Sequence, residues 1–329
     1  MSRRVISAAF ATVILLFALW INNSSLLTRP SGGRPLLLAH RGVAQQFPLD
    51  GVMNDTCTAT RIYPPRNKFI EDTIPSMSEA FRDGADVVEF DIHPTTDGHW
   101  AVFHDWTLDC RTDGQGVTRT HPLSYLKTLD VGYGYTADGG RTFPLRGEGV
   151  GLMPTLDEVL YTFPDRSFLL HIKSNDPKEG VALSAKLREL PVAKLHLLMV
   201  HGGARPIEVV RSKLPGMATM SPELEKRCLV CYLGLGWSGY VPVTCRESML
   251  LIPENVGPWL WGWPNKFVER MRQVDTSVFL MDKLTRDDYK AGRSQGLSKL
   301  DDIRAIPKQY SGGIWIDSIE TIGPALRPH

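Results

Sequence analysis

Nine short apolar runs punctuate the sequence after residue 34, and they constrain the fold more than any other feature. They read PLLLAH, ADVVEFDIH, HWAVFHD, SFLLHIK, LHLLMVH, GMATM, LLIP, SVFLMD and GGIWID. Most are apolar almost throughout rather than in strict alternation, as expected of parallel strands covered on both faces. Amphipathic stretches with helical spacing lie between them, among them SMSEAFRDG, TLDEVLYTF, PKEGVALSAKLREL and ARPIEVVRSKL. Alternating β and α units with about eight strands predict a (β/α)8 TIM barrel or a doubly wound sheet. No G-x-G-x-x-G follows the first run, which weakens the dinucleotide-binding version. A chain of 329 residues has room for one such barrel, about 250 residues, with decorations. We expect one catalytic domain over 35–329.

The N-terminus is of another kind. Arg3 and Arg4 precede an apolar run from Val5 to about Ile21, followed by a polar Gly/Pro linker over 23–34. The run is near the lower limit for crossing a bilayer, and the arginines favour a cytoplasmic N-terminus. No A-x-A site follows it. Residues 1–22 therefore read as a signal anchor, ahead of a cleaved signal peptide. In either case the body is exported, anchored on the periplasmic or extracellular side or secreted. A net charge of +1 argues against a general nucleic-acid binder.

Two segments interrupt the β/α rhythm, about 43–70 after the first run and about 105–152 after the third. Loops this long inside a compact domain are usually functional, and in a barrel they rise from the catalytic face. The polar residues at the run ends carry the chemistry. Glu89 and Asp91, two apart on one run, project from the same face. Side by side, such charges call for a cation, and hard divalent ions collect oxygen ligands. His40 and His104 each end an apolar run. One histidine so placed is ordinarily structural, but a pair flanking two carboxylates suits general acid–base work.

HRG at residues 40–42, followed by IEDTIPSMSEAFRDGADVVEFDIHPTTDGHWAVFHD, resembles the glycerophosphodiester phosphodiesterases. The resemblance is strong over about 40–115 and continues weakly through MPTLDEVL, LLHIKS and GGIWIDS. It implies a barrel that hydrolyses glycerophosphodiesters to sn-glycerol 3-phosphate and an alcohol. His40 and His104 would be the acid–base pair, with Arg41 and Lys173 on the phosphate. Glu71, Glu89 and Asp91 would surround one divalent metal, Ca2+ or Mg2+. Gly42 would let the backbone turn away closely. The family's E-x-K is His171-Ile172-Lys173 here, so an imidazole replaces a carboxylate. As a ligand, His171 would move the preference towards Mn2+ or Zn2+. Asp72 stands where the family has asparagine.

Five cysteines suit an oxidising compartment. We expect a Cys57–Cys110 disulfide, joining the two long loops on the catalytic face, and a second bridge from Cys245 to Cys228 or Cys231. A zinc or redox role for the C-x-x-C at 228–231 lacks a matching context. Tyr133 and Tyr135 either line a glycerol pocket or pack a loop. Trp259, Trp261 and Trp263 either rim a substrate or lipid surface or pack beneath a loop. Two rival functions suit the same residues, a lysophospholipase D-like action on lysolipids and a non-catalytic ligand-binding barrel.

Overall fold

Each of the nine apolar runs contains a strand, and eight of the strands form the barrel wall. In chain order they are β1 (Leu36–His40), β2 (Val87–Pro94), β3 (Trp100–Val102), β4 (Ser167–Ile172), β5 (Leu198–Gly202), β6 (Ala218–Met220), β7 (Met249–Pro253), β8 (Ser277–Met281) and β9 (Gly313–Ile316). Round the wall they run β6-β5-β4-β2-β1-β9-β8-β7. A parallel bridge between Thr219 and Ser248 joins the two ends. This computed structural model describes residues 3–28, 33–53, 56–291 and 293–327. Part of the expected linker, 29–32, lies outside the described residues, as do Met1 and Ser2 of the expected anchor.

β3 departs from the expectation of parallel strands. It pairs antiparallel with β2, Ile92 opposite Val102 and Pro94 opposite Trp100. The connection is too short for anything else. Thr95 N donates to His99 O at 2.8 Å and Gly98 takes a φ of 86°, whereas a parallel crossover needs a dozen or more residues. The hairpin carries the chain back to the rim, where Phe103 N donates to Asp91 O at 3.0 Å.

Helices start where the sequence supplies caps. Thr73, Asp176 and Ser221 each cap a helix through the side chain, over Ile74–Arg82, Pro177–Leu187 and Pro222–Leu235, each with proline in the first turn. Thr155 and Glu158 form a capping box for Leu156–Thr162. The wall is buried from both sides. Leu38, Leu169, Met249, Leu251, Phe279 and Trp315 fill the interior, while Leu37, Phe90, Leu170 and Leu250 face the helices. A separate core of Phe103, Leu108, Leu129 and Tyr135 lies under the long segment 105–152.

The expected disulfide is present, with Cys57 and Cys110 5.6 Å apart at Cα. Cys245 pairs with Cys228, Cα atoms 4.8 Å apart, so the C-x-x-C is divided and Cys231 is an exposed free thiol.

The apolar N-terminal segment is a helix, Arg3–Asn23, and its stretch Val5–Asn23 has a mean hydropathy of 2.2 with none of it buried. The residues just after it are docked rather than free. Ser25 Oγ accepts from Asn265 N and Lys266 N, both at 3.1 Å. Trp263 packs against Phe267 and Tyr310, whereas Trp259 is 76% exposed.

Candidate active site

Strand register assembles the site. His40 lies beside Glu89 across β1 and β2. Asp91 lies beside His171 across β2 and β4, and His171 beside His201 across β4 and β5. His40, His171 and His201 stand at or next to the C-terminal ends of their strands, and Glu89 and Asp91 lie level with them on β2, towards the end at which such barrels carry catalytic residues. The turn after β1 is set by the backbone. Arg41 adopts a φ of 59° and Gly42 one of 75°, and a Cβ on Gly42 would stand 2.6 Å from Ser76 Oγ. Arg41 N donates to Glu89 O at 3.0 Å, and Arg41 O accepts from Asp72 N at 3.1 Å. Left-handed conformation at Arg41 and Asp72 costs about 1–3 kcal/mol each, strain of a kind that clusters at functional sites.

Glu89 and Asp91 are both buried but are shifted in opposite directions. Burial, then the neighbouring Asp91 charge, raises Glu89. Burial would raise Asp91 as well, but Lys173, His104 and Arg41 hold it well below the usual carboxylate range. Its contacts are short, with His171 Nδ1 at 2.6 Å, Lys173 Nζ at 3.2 Å and Arg41 Nε at 3.2 Å. Glu89 Oε1 meets His201 Nε2 at 3.2 Å. Glu89 Oε2 is buried without a hydrogen-bond partner among the described residues.

The four mouth histidines have different partners. His40 Nδ1 meets Asp317 Oδ1 at 2.7 Å, and His104 Nδ1 meets Asp105 Oδ1 at 2.6 Å. With Nδ1 on a carboxylate, each ring keeps Nε2 for another partner. Burial, reinforced by Arg41 and Lys173, holds His104 down at about 4. His171 and His201 stack with ring centroids 4.0 Å apart. Burial is the main cause that lowers them to about 4 and about 3. Neutral imidazoles of this kind are competent metal ligands. Glu89, His171 and His201 each offer one ligand atom, all within 4.8 Å of one another.

Glu71 is placed differently from the cluster. Its carboxylate accepts from Arg41 Nη1 at 3.1 Å and Arg111 Nη1 at 3.0 Å, and from Tyr135 OH at 3.2 Å. Against burial, the two guanidiniums hold it below the ordinary value. Arg111 also donates to Asp105 at 2.9 Å and Thr58 Oγ1 at 2.7 Å. Tyr135 is thus a buried member of this network, whereas Tyr133 is 38% exposed with Arg146 3.9 Å from its ring centroid.

Sequence reasoning passed over His201, Asp317, Asp105 and Arg111. The first two end apolar runs, as His40 and His171 do, and that was the available signal. Asp105 directly follows a chosen histidine. Arg111 sits in a loop without periodicity and carried none.

Acids, imidazoles and cations are thus gathered at one mouth of a parallel eight-stranded (β/α)8 barrel. Comparison with known proteins narrows the class. Residues 40–201 match the model of the glycerophosphoryl diester phosphodiesterase family. A glycerophosphodiester phosphodiesterase of Caldanaerobacter subterraneus subsp. tengcongensis is 31% identical over 47% of this chain and 50% of its own length. One from Bacillus subtilis is 30% identical over 51% and 54%. The chain therefore spans about half the length of the curated relatives it matches. A glycerophosphoryl diester phosphodiesterase domain from Mycobacterium tuberculosis superposes with a TM-score of 0.61 at 16% identity, over 89% of this chain and 98% of that one. An Oleispira antarctica phosphodiesterase, in complex with sn-glycerol-3-phosphate, superposes with 0.52 at 18% identity, over 90% and 98%. The fold is that of these barrels, and over about half of its length the chain is similar to glycerophosphodiester phosphodiesterases.

Proposed function

We propose that the chain hydrolyses glycerophosphodiesters to sn-glycerol 3-phosphate and an alcohol, with the help of one divalent metal. One observation carries the reading: register and the β2–β3 hairpin bring two carboxylates, four imidazoles, Arg41 and Lys173 to one barrel mouth. Glu89, His171 and His201 would hold the metal, beside Asp91. The donor set fits, because Glu89 Oε2 is buried without a hydrogen-bond partner among the described residues and the two imidazoles are held neutral. Two nitrogens and one oxygen favour Mn2+ or Zn2+ over Ca2+. When bound, the metal would supply Lewis-acid stabilisation of the phosphoryl oxygens.

The chain's own groups do the rest. Arg41 and Lys173, both on Asp91 in the free site, turn to the phosphate and stabilise the negative charge that grows there. Glu71, gripped by Arg111, orients Arg41. His104, held neutral by burial and two cations, accepts the proton of the attacking water through Nε2. His40, with Nδ1 on Asp317, delivers a proton from Nε2 to the leaving alkoxide. The new P–O bond forms to water as the P–O bond to the alcohol breaks.

The test is release of sn-glycerol 3-phosphate from several glycerophosphodiesters, in metal-free buffer and with Ca2+, Mg2+, Mn2+ or Zn2+ added. Turnover restored most by Mn2+ or Zn2+ is expected. No release from any diester with any metal sinks the reading and favours a binding barrel.

A further inference from the structure

The apolar N-terminal helix and one flank of the barrel form a single feature. Arg270, buried, donates to Asn22 O at 2.8 Å and Asn23 Oδ1 at 3.0 Å. The side-chain amides of Asn22 and Asn23 donate to Trp237 O at 3.0 and 2.9 Å. Ser25 Oγ also donates to Gly262 O at 2.7 Å. The helix is therefore fastened to the barrel, not hung on a tether. Around the attachment stand Val230, Leu233, Leu235, Trp237, Trp259 and Trp261, with exposures from 41% to 76%. They are neighbours, since Trp261 Nε1 donates to Leu233 O and Tyr232 OH to Trp261 O, both at 2.8 Å. Single exposed apolar residues are ordinary, but a contiguous group marks an interaction surface.

Topology places the Leu235–Trp237 end of this surface away from the mouth, and Trp261 joins that end through Leu233. Helix Pro222–Leu235 starts after the C-terminal end of β6 and returns to the start of β7. Leu235 and Trp237 thus lie towards the rim opposite His40, Glu89 and His171. A five-residue strand at ~3.3 Å per residue puts about 15 Å between the two rims.

We propose that this flank rests in the interfacial layer of a bilayer crossed by the apolar helix, with the catalytic mouth turned to water. The substrate is then a water-soluble, deacylated diester rather than a lipid held in the membrane. That second statement rests on the proposed function, while the contact itself does not. Val5–Ile21, the part of the apolar segment before the docked asparagines, at ~1.5 Å rise reaches about 26 Å, close to the hydrocarbon thickness of a bilayer. Tryptophan is enriched at membrane–water interfaces. Lys226 and Arg227, exposed one turn earlier on the flank helix, suit anionic headgroups. A bilayer is favoured over a second copy because the inserted helix itself holds the flank at the membrane surface.

The free thiol supplies the probe. Cys231 is exposed on the same helix and takes a nitroxide label in the full chain, reconstituted in phosphatidylcholine–phosphatidylglycerol vesicles. A reference label goes on Glu148→Cys in a Cys231→Ser background, in the long loop on the mouth side. The label at 231 is expected to collide several-fold less with a water-soluble nickel chelate than the label at 148. Trp259→Ser with Trp261→Ser should raise collision at 231 while membrane insertion and diester turnover persist. Equal collision at both positions overturns the proposal, as does shielding at 231 that fades on dilution of the protein in lipid, which indicates a second copy. Faster turnover of a lysophospholipid in the vesicles than of its soluble deacylated diester overturns the orientation. Shielding at 231 in a protein that hydrolyses no diester supports the contact and removes only the functional reading.

Discussion

Arg111→Met should be among the most damaging single changes in the barrel mouth. The guanidinium is 2% exposed and bonds to Asp105, Glu71, Tyr135 and Thr58 at 2.6–3.0 Å. Methionine fills much of the same volume but leaves the buried Glu71 and Asp105 short of a cation. Breaking a buried charge pair from one side costs about 3–5 kcal/mol, against a total stability of about 5–15 kcal/mol for a domain. Urea unfolding at neutral pH, followed by tryptophan fluorescence, should show that loss as a lower midpoint. Turnover at low urea should also fall, because Asp105 holds His104 and Glu71 holds Arg41. In a double-mutant cycle, adding Glu71→Gln to Arg111→Met should recover on the order of 1 kcal/mol, since the stranded carboxylate is then gone. A stability within 1 kcal/mol of wild type for Arg111→Met alone would refute the argument that this cation holds the loop segment and the site together.

His40→Ala and His104→Ala should each lower kcat by about 10²- to 10⁴-fold with unchanged circular dichroism; near-normal turnover removes the acid–base assignment. His171→Glu should shift relative activity from Zn2+ towards Ca2+, and an unchanged ratio places His171 outside the metal shell. Gly42→Ala, at a φ of 75° with its Cβ against Ser76, should lower stability by about 1–3 kcal/mol in urea titration; a neutral result refutes the close approach. Burial lifts the Glu225 carboxyl from 4.5 to about 8, against the Leu251 N–H that favours its charged form. The folded state therefore keeps a proton that the unfolded chain has released. Its contribution is complete below about pH 4.5 and is lost as pH rises through 8, by at most ~1.4 kcal/mol per unit. Glu225→Gln should flatten that slope between pH 5 and 9, and an unaltered slope refutes it.

The strands were legible because a parallel wall buried on both sides leaves nearly unbroken apolar runs. The charged residues that end those runs were legible for the same reason, as His40, Glu89, Asp91 and His171 are the polar residues a buried strand would not otherwise keep. What escaped depends on who stands beside whom. His201 ends its run just as plainly, but only the β4–β5 register sets it against His171. β3 resembled its neighbours in composition, and only the short turn at 95–99 makes it antiparallel. Arg111 stayed hidden because its meaning lies in four partners drawn from separate segments. Helix Pro222–Leu235 was missed because its outer face is also apolar, with Val230, Leu233 and Leu235 exposed, so the helical period is blurred.

The barrel wall is a ring with one weak joint. Between β6 and β7 the strand pairing is the bridge at Thr219 and Ser248, and β6 is only three residues long. Arg211 supports the joint from outside, donating to Thr219 Oγ1 and Glu247 O at 2.9 Å. Cys228, on the helix leaving β6, and Cys245, in the turn entering β7, are bonded across it. The bond acts as a clasp at the place where the ring would otherwise spring open. A chain kept in a reducing compartment lacks that clasp. Amide exchange should then quicken first in β6 and β7, while the β2–β4 staves opposite stay protected. An oxidising environment, on this view, is what completes the circle.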